Sequence, residues 1–250
     1  MLKSPIISIV TVVYNAVYTL EKTIQSVFKQ TYKNIELIII DGGSTDGTIG
    51  IIEKYSSKIS YWVSETDNGI YDAMNKGLIN AKGDYITFLN SGDFYCNESV
   101  ISELFKDFGN SDVIYGDIYY DKLDQRPSLY LKAMDFTKEN LLANGTAVVC
   151  HQAIFVKREI APIYDISYKF KAELNWYFDI LENNKNLKYK HKEIAVVNYI
   201  IGGFGYISYK QNLYEWCKLV IKRFGIYTFF KYKYPKILIR KIKLRYFKNK

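Results

Sequence analysis

Leu37-Ile38-Ile39-Ile40-Asp41-Gly42-Gly43-Ser44-Thr45-Asp46-Gly47 passes directly from an unbroken apolar run into a glycine-rich acidic loop. Tyr85-Ile86-Thr87-Phe88-Leu89-Asn90-Ser91-Gly92-Asp93 repeats the pattern further on. A short apolar run closed by turn residues reads as a buried strand, so strands are predicted at Ile35–Ile40 and Tyr85–Leu89. Both loops then leave carboxyl ends of strands, where open α/β sheets bind their ligands. Backbone with little side chain approaches phosphate closely, and carboxylates hold a sugar hydroxyl, a base edge or a divalent metal. A nucleotide site follows as the first functional expectation.

Outward from these loops the first half alternates strand and helix. Ile6–Val13 is a β-branched run, and Leu20, Ile24, Val27 and Phe28 recur on one helical face. Helices are predicted near Ile49–Tyr55, Tyr71–Asn80 and Ser99–Phe108, with strands at Ile59–Val63 and from Asp112. Such alternation predicts a mostly parallel sheet covered on both faces. Beyond Asp117 the pattern loosens, leaving strands at Ala153–Val156 and Ala195–Ile200 and helices near Glu173–Glu182 and Tyr209–Arg223. We expect one α/β domain over 1–210, its nucleotide half at 1–115 and an acceptor half at 116–210, followed by a basic amphipathic extension at 211–250.

The 250 residues, 48% hydrophobic and 24% charged, suffice for a full core. Three widely spaced cysteines, Cys96, Cys150 and Cys217, read as free thiols of a reducing cytoplasm, with no secretory leader and no zinc-ligand spacing. No apolar stretch approaches the length of a membrane span. Of the 34 Lys and Arg residues, 12 lie between Lys218 and Lys250, where Asp and Glu are absent, leaving 22 basic against 26 acidic residues upstream. Aromatic and aliphatic residues interleave with that charge, and Pro235 divides it. The pattern suits a peripheral contact with an anionic membrane surface. It equally describes a helix with one face on the body. An acidic body without a recognition motif argues against nucleic acid.

Ser8-Ile9-Val10-Thr11-Val12-Val13-Tyr14-Asn15, Ser26-Val27-Phe28-Lys29-Gln30-Thr31-Tyr32 and Glu36 through Thr48 together resemble the opening of family 2 glycosyltransferases. Glu65-Thr66-Asp67-Asn68-Gly69-Ile70-Tyr71-Asp72-Ala73-Met74-Asn75-Lys76-Gly77, followed by Phe88 through Asp93, is similar to a bacterial branch that builds capsule, exopolysaccharide and O-antigen units. The likeness is dense through Asp93 and sparse beyond Gln152. It implies the GT-A fold, a single Rossmann-like domain that binds a nucleotide-diphosphosugar.

The resemblance also assigns roles. Thr11 and Tyr14 would pack around the base and Asp41 would accept from a uracil imide, while Asp67 and Asn68 would touch the nucleoside. Asp46 reads as a loop or helix cap. Where relatives carry an arginine the chain has Met74, so Lys76 is the nearest candidate cation for the diphosphate, as a point charge without Arg's fork. The usual Asp-x-Asp becomes Asn90-Ser91-Gly92-Asp93, leaving Asp93 to ligate Mn2+ or Mg2+ with help from Asn90 and substrate phosphate. His151, in Cys150-His151-Gln152, is a candidate for the metal, the diphosphate or an acceptor hydroxyl.

Inverting transfer further needs a base on the acceptor side. Glu173 is that candidate, with Asp179 and Asp165 as alternatives, and Gly202-Gly203-Phe204-Gly205 reads as a lid or a plain turn. The expected function is transfer from a nucleotide sugar, UDP-linked by preference, to a lipid-linked glycan at the inner face of the bacterial plasma membrane. The alternatives are a sugar-nucleotide nucleotidyltransferase, disfavoured because no basic glycine-rich loop follows the first strand, and a non-catalytic peripheral binding protein of the same fold.

Overall fold

The computed structural model describes residues 4–121, 128–200 and 209–232. The Gly202–Ser208 loop and the end of the chain from residue 233 lie outside the described residues, so the lid and the last basic segment are not assessed.

Strands β1 (Ile7–Val13), β2 (Ile35–Asp41), β3 (Tyr61–Ser64) and β4 (Tyr85–Phe88) pair in the order β3-β2-β1-β4, all parallel. Helices α1 (Leu20–Phe28), α2 (Thr48–Tyr55) and α3 (Ile70–Asn80) make the crossovers. Their apolar faces explain both helix and placement: Leu20, Ile24 and Val27 of α1 meet Ile7, Ile9 and Val13 on one side of the sheet, while Ala73, Met74 and Leu78 of α3 meet Val10 and Val12 on the other. Helix α4 (Val100–Leu104) is shorter than its periodicity predicts.

Beyond β4 the sheet is mixed. Its order continues β4-β8-β6-β9-β5, with β5 (Phe94–Tyr95), β6 (Val113–Asp121), β8 (Ile154–Lys157) and β9 (Tyr189–Ile200), and β7 (Leu129–Leu131) pairs with β6 at its side. Strand β8 is antiparallel to both neighbours, and β6 and β9 run parallel. Helices α5 (Lys138–Asn144) and α6 (Ala172–Asn183) cover the face that α3 shares.

Helix α7 (Tyr209–Tyr232) places part of its apolar surface on the body: Leu219 and Val220 are fully buried, and Phe224, Phe229 and Tyr232 pack against the core. Arg223 explains the docking, because its guanidinium reaches Asp179 (2.7 Å), Glu182 (2.8 Å) and the Asn175 amide oxygen (2.8 Å) on α6. The helix breaks at Gly225, whose φ of 82° lies in the left-handed region, and beyond the break Ile226 and Tyr227 are exposed. No helix among the described residues is long and apolar enough to cross a membrane.

Candidate functional site

A cleft of about 960 Å³ opens at the carboxyl ends of β1, β4 and β6. Its walls come from Val12–Tyr14, the Asn90–Asp93 loop, the start of α3, Cys150–Gln152, the Lys169–Glu173 segment and Tyr199–Ile200.

The loop after β2 is built around Asp41. Its Oδ2 accepts from the Gly43 N–H (3.1 Å), the Ser44 N–H (2.9 Å) and the Ser64 hydroxyl (2.6 Å), and its Oδ1 accepts from the Ser44 hydroxyl. A carboxylate offers about four acceptor positions. Three of the four bonds fall on Oδ2 and one on Oδ1, so Asp41 is engaged chiefly in holding the loop. Asp46 likewise orders the loop, accepting from Thr48 and from the Val17 N–H.

The open carboxylate nearby is Asp67. One oxygen accepts from the Gly69 N–H (2.8 Å). The other lies where a Cβ on Gly42 would come within 2.6 Å of it, and the Tyr14 ring is 3.5 Å from the same point. Glycine at 42 thus creates the space in which Asp67 and the exposed Tyr14 meet. Asn68 is turned to Asp72, which caps the start of α3 by accepting the Asn68 N–H (2.9 Å).

Two expected donor contacts face elsewhere. Thr11 lies on the Ile9 and Val13 face of β1, its hydroxyl buried without a partner, and does not line the cleft. Lys76 pairs with Glu65 (2.8 Å) and donates to the Thr66 carbonyl (3.3 Å), fastening the segment before α3 instead of entering the cleft.

The loop after β4 does face the cleft. Gly92 takes a φ of 104°, which turns the chain so that Asp93 points inward. Asp93 accepts from the Ile200 N–H (2.9 Å) and from the Gln152 amide (3.0 Å), yet burial pushes its carboxyl up to about 7. Asn90 lines the same wall, and its buried side-chain oxygen meets no donor among the described residues. An orphaned amide oxygen beside a buried carboxylate fits a hard divalent cation whose remaining ligands are phosphate and water. Among the described residues no three His, Cys, Asp or Glu side chains gather into a metal site.

His151 is not available to a metal through Nε2, which bonds the Tyr164 hydroxyl at 2.6 Å while the ring stacks on Phe88. Burial lowers its pKa to about 3 and keeps it neutral. Glu173 sits in the first turn of α6, its carboxyl raised to about 7 by burial and accepting from the Tyr177 hydroxyl at 3.0 Å. Cys150 and Tyr199 line the cleft together with Asp93 and Glu173.

Residues 8–162 match the family profile described as "Glycosyl transferase family 2". The chain is a family 2 glycosyltransferase. It is 32% identical over 179 residues to an uncharacterised glycosyltransferase of Mycobacterium tuberculosis, covering 69% of this chain and 68% of that protein. To a PGL/p-HBAD biosynthesis glycosyltransferase of Mycobacterium bovis it is 30% identical over 207 residues, 78% of this chain and 77% of the relative.

Among solved structures, Staphylococcus aureus TarS 1-349 in complex with UDP superposes with a TM-score of 0.67 at 18% identity over 87% of this chain. The mannosyltransferase PcManGT of Pyrobaculum calidifontis, in complex with GDP-Man and Mn2+, gives 0.63 at 14% identity over 88%. This glycosyltransferase spans about two thirds of either chain, 64% and 65%. The shared fold is GT-A, as the sequence resemblance implies.

Three cleft residues of the glycosyltransferase were not singled out from sequence. Gln152 braces Asp93, and its own amide oxygen accepts from the Cys150 thiol. Asp117, fully buried on β6, binds the His191 ring nitrogen (2.7 Å), the Ala133 N–H (2.8 Å) and the Tyr130 hydroxyl. Lys171 lies in the cleft wall just before Glu173. A lysine two residues ahead of a candidate base was a signal that the sequence offered.

Proposed function

We propose that this glycosyltransferase inverts the anomeric centre of a nucleotide-diphosphosugar, UDP-linked by preference, while transferring it to a hydroxyl of a lipid-linked glycan in surface polysaccharide synthesis. The observation that carries the reading is the placement of Asp93 and Glu173 on one cleft, the first with an orphaned amide oxygen beside it and the second poised near neutrality. UDP bound to TarS and the biosynthetic role in the mycobacterial relative's name support donor and pathway class.

Tyr14 stacks on the base, and the Asp67 oxygen turned toward Gly42 accepts a hydrogen bond from its imide N–H, a role open to an ionised carboxylate, while Asp41 is engaged in holding its own loop. Asp93 and Asn90 would hold a divalent cation, Mn2+ or Mg2+, which would supply positive charge for the leaving diphosphate. Glu173 takes the proton of the acceptor hydroxyl as that oxygen attacks the anomeric carbon from the face opposite the leaving group. A carboxyl near pH 7 suits this task, being ionised enough to act and basic enough to accept.

Peripheral attachment to an anionic membrane rests on the basic residues beyond Tyr232 and on exposed Ile226 and Tyr227 next to them. The decisive experiment measures nucleoside diphosphate release from a panel of nucleotide sugars with Mn2+, with and without a lipid-linked acceptor extract. Acceptor-stimulated release that Glu173→Gln suppresses about 10²-fold is expected. Release that the variant leaves at wild-type level would remove Glu173 from the reaction.

A further inference from the structure

The Lys171 side chain is 6% exposed and lines the cleft. Its ammonium stands 5.0 Å over the Trp216 ring, and no carboxylate or hydrogen-bond acceptor among the described residues comes within bonding distance of it. A buried ammonium with three unspent donors is costly unless something supplies acceptors.

The surrounding structure fixes the lysine in that condition. Glu215 of α7 accepts the backbone N–H groups of Lys169 (3.0 Å), Phe170 (2.8 Å) and Lys171 (3.1 Å), so its carboxylate is engaged with main chain. Glu173 accepts from Tyr177. Both acids lie near enough to stabilise the charge of Lys171, and burial opposes them. Neither pairs with it.

Which substrate faces this cation follows from its neighbours. Lys171 lies two residues before Glu173 on one wall of the cleft, whereas Asp93 stands on the loop after β4. Lys169, two residues earlier, lines the same wall. The positive group therefore stands on the base's side of the cleft, where the acceptor enters.

Building on the glycosyltransferase reading, we propose that Lys171 binds an anionic oxygen of the acceptor, a phosphoryl or a sugar carboxylate close to the hydroxyl that Glu173 deprotonates. The enzyme thereby selects a negatively charged acceptor. Pairing with that anion satisfies the ammonium and draws the nucleophilic hydroxyl toward the base.

The test is a ligand-observed NMR titration of the full chain with Mg2+. UDP is added to saturation first, followed in separate arms by methyl phosphate, glucuronic acid and neutral methyl glucoside. We expect one or both anions to bind and the neutral sugar not to, with affinity reduced at least tenfold in Lys171→Met and retained in Lys171→Arg, while UDP affinity is unchanged in both. The anion that binds identifies its source. A tenfold loss of UDP affinity in Lys171→Met would assign the cation to the donor diphosphate and overturn the proposal. Equal anion binding by wild type and Lys171→Met, or binding of neither anion, would overturn it as well. Failure of UDP to bind the wild type would show separately, at the first step, and would remove the nucleotide reading together with what rests on it.

Discussion

Replacing Tyr177 by Phe deletes the hydroxyl that supports the candidate base. That hydroxyl has one proton and two acceptors in reach, the Glu173 carboxylate at 3.0 Å and the Val149 carbonyl at 3.3 Å, and the nearer, chargeable acceptor takes it. A hydrogen bond to a charged group contributes about 1.5–3 kcal/mol, and it acts only on ionised Glu173, so its loss raises the carboxyl by about one to two pH units. Starting from about 7, the acid limb of kcat/KM moves to about 8 or above. At neutral pH the ionised fraction falls from about one half to about one tenth or less, which is a fivefold or greater loss of rate there, recovered as pH rises.

The assay is release of nucleoside diphosphate followed from about pH 5.5 to 9.5 for wild type, Tyr177→Phe and Glu173→Gln. Asp93 is the other cleft acid raised to about 7, and it offers a rival origin for the same limb. A cation competes with the proton for Asp93 and not for Glu173, so a limb that stays put over roughly a hundredfold range of Mn2+ belongs to Glu173. An unmoved limb in Tyr177→Phe, or an unchanged limb in Glu173→Gln, would refute the assignment.

Asp93→Asn keeps an acceptor for the Ile200 N–H and removes the charge, so metal-stimulated turnover should vanish while circular dichroism is unaltered; full stimulation would place the cation elsewhere. Gly42→Ala puts a methyl 2.6 Å from the free Asp67 oxygen and should weaken UDP binding about tenfold by calorimetry, roughly 1.4 kcal/mol, and unchanged affinity would detach Asp67 from the base. Arg223→Ala removes the guanidinium from Asp179 and Glu182, which keep the Asn175 amide and Lys138, and should cost about 1.5–3 kcal/mol, lowering the melting temperature by about 3–12 °C; a shift under a degree would mean that α7 is held by its apolar face alone. A chain stopped after Tyr232 should sediment less with anionic vesicles while melting normally, whereas a cut before Phe229 would also remove core contacts and confuse the two effects.

The parallel half of the fold was legible because its elements are decided locally. Ile7–Val13 and Leu37–Ile40 are buried on both faces and read as strands whatever surrounds them, and the one-face spacing of Leu20, Ile24 and Val27 admits only a helix on a sheet. Strands of two or three residues such as Phe94–Tyr95 and Leu129–Leu131 carry no period, and they exist because β9 and β6 offer them edges. For α7 the ambiguity has a different cause. An apolar stripe beside basic residues is the same pattern whether it meets lipid or protein, and the choice is made by Phe178, Asp179 and Glu182 some forty residues earlier.

The site shows the same division between residue type and residue partner. That Asp93 and Glu173 line the cleft was foreseeable, because it needs only a carboxylate on a loop or helix start facing the ligand edge. The roles proposed for Asp41 and Asp67 turn on hydrogen-bond partners. Ser44, Gly43 and Ser64 engage the first carboxylate, and the missing Cβ of Gly42 opens space for the second, 25 residues away in sequence. Lys76 and Lys171 are equally cationic on paper. Glu65 lies within 2.8 Å of Lys76 and neutralises it at the surface, while the acids nearest Lys171 are engaged by backbone and Tyr177. The difference between a spent charge and an available one is thus set by where the partners of a partner point, and that is a property of the folded chain alone.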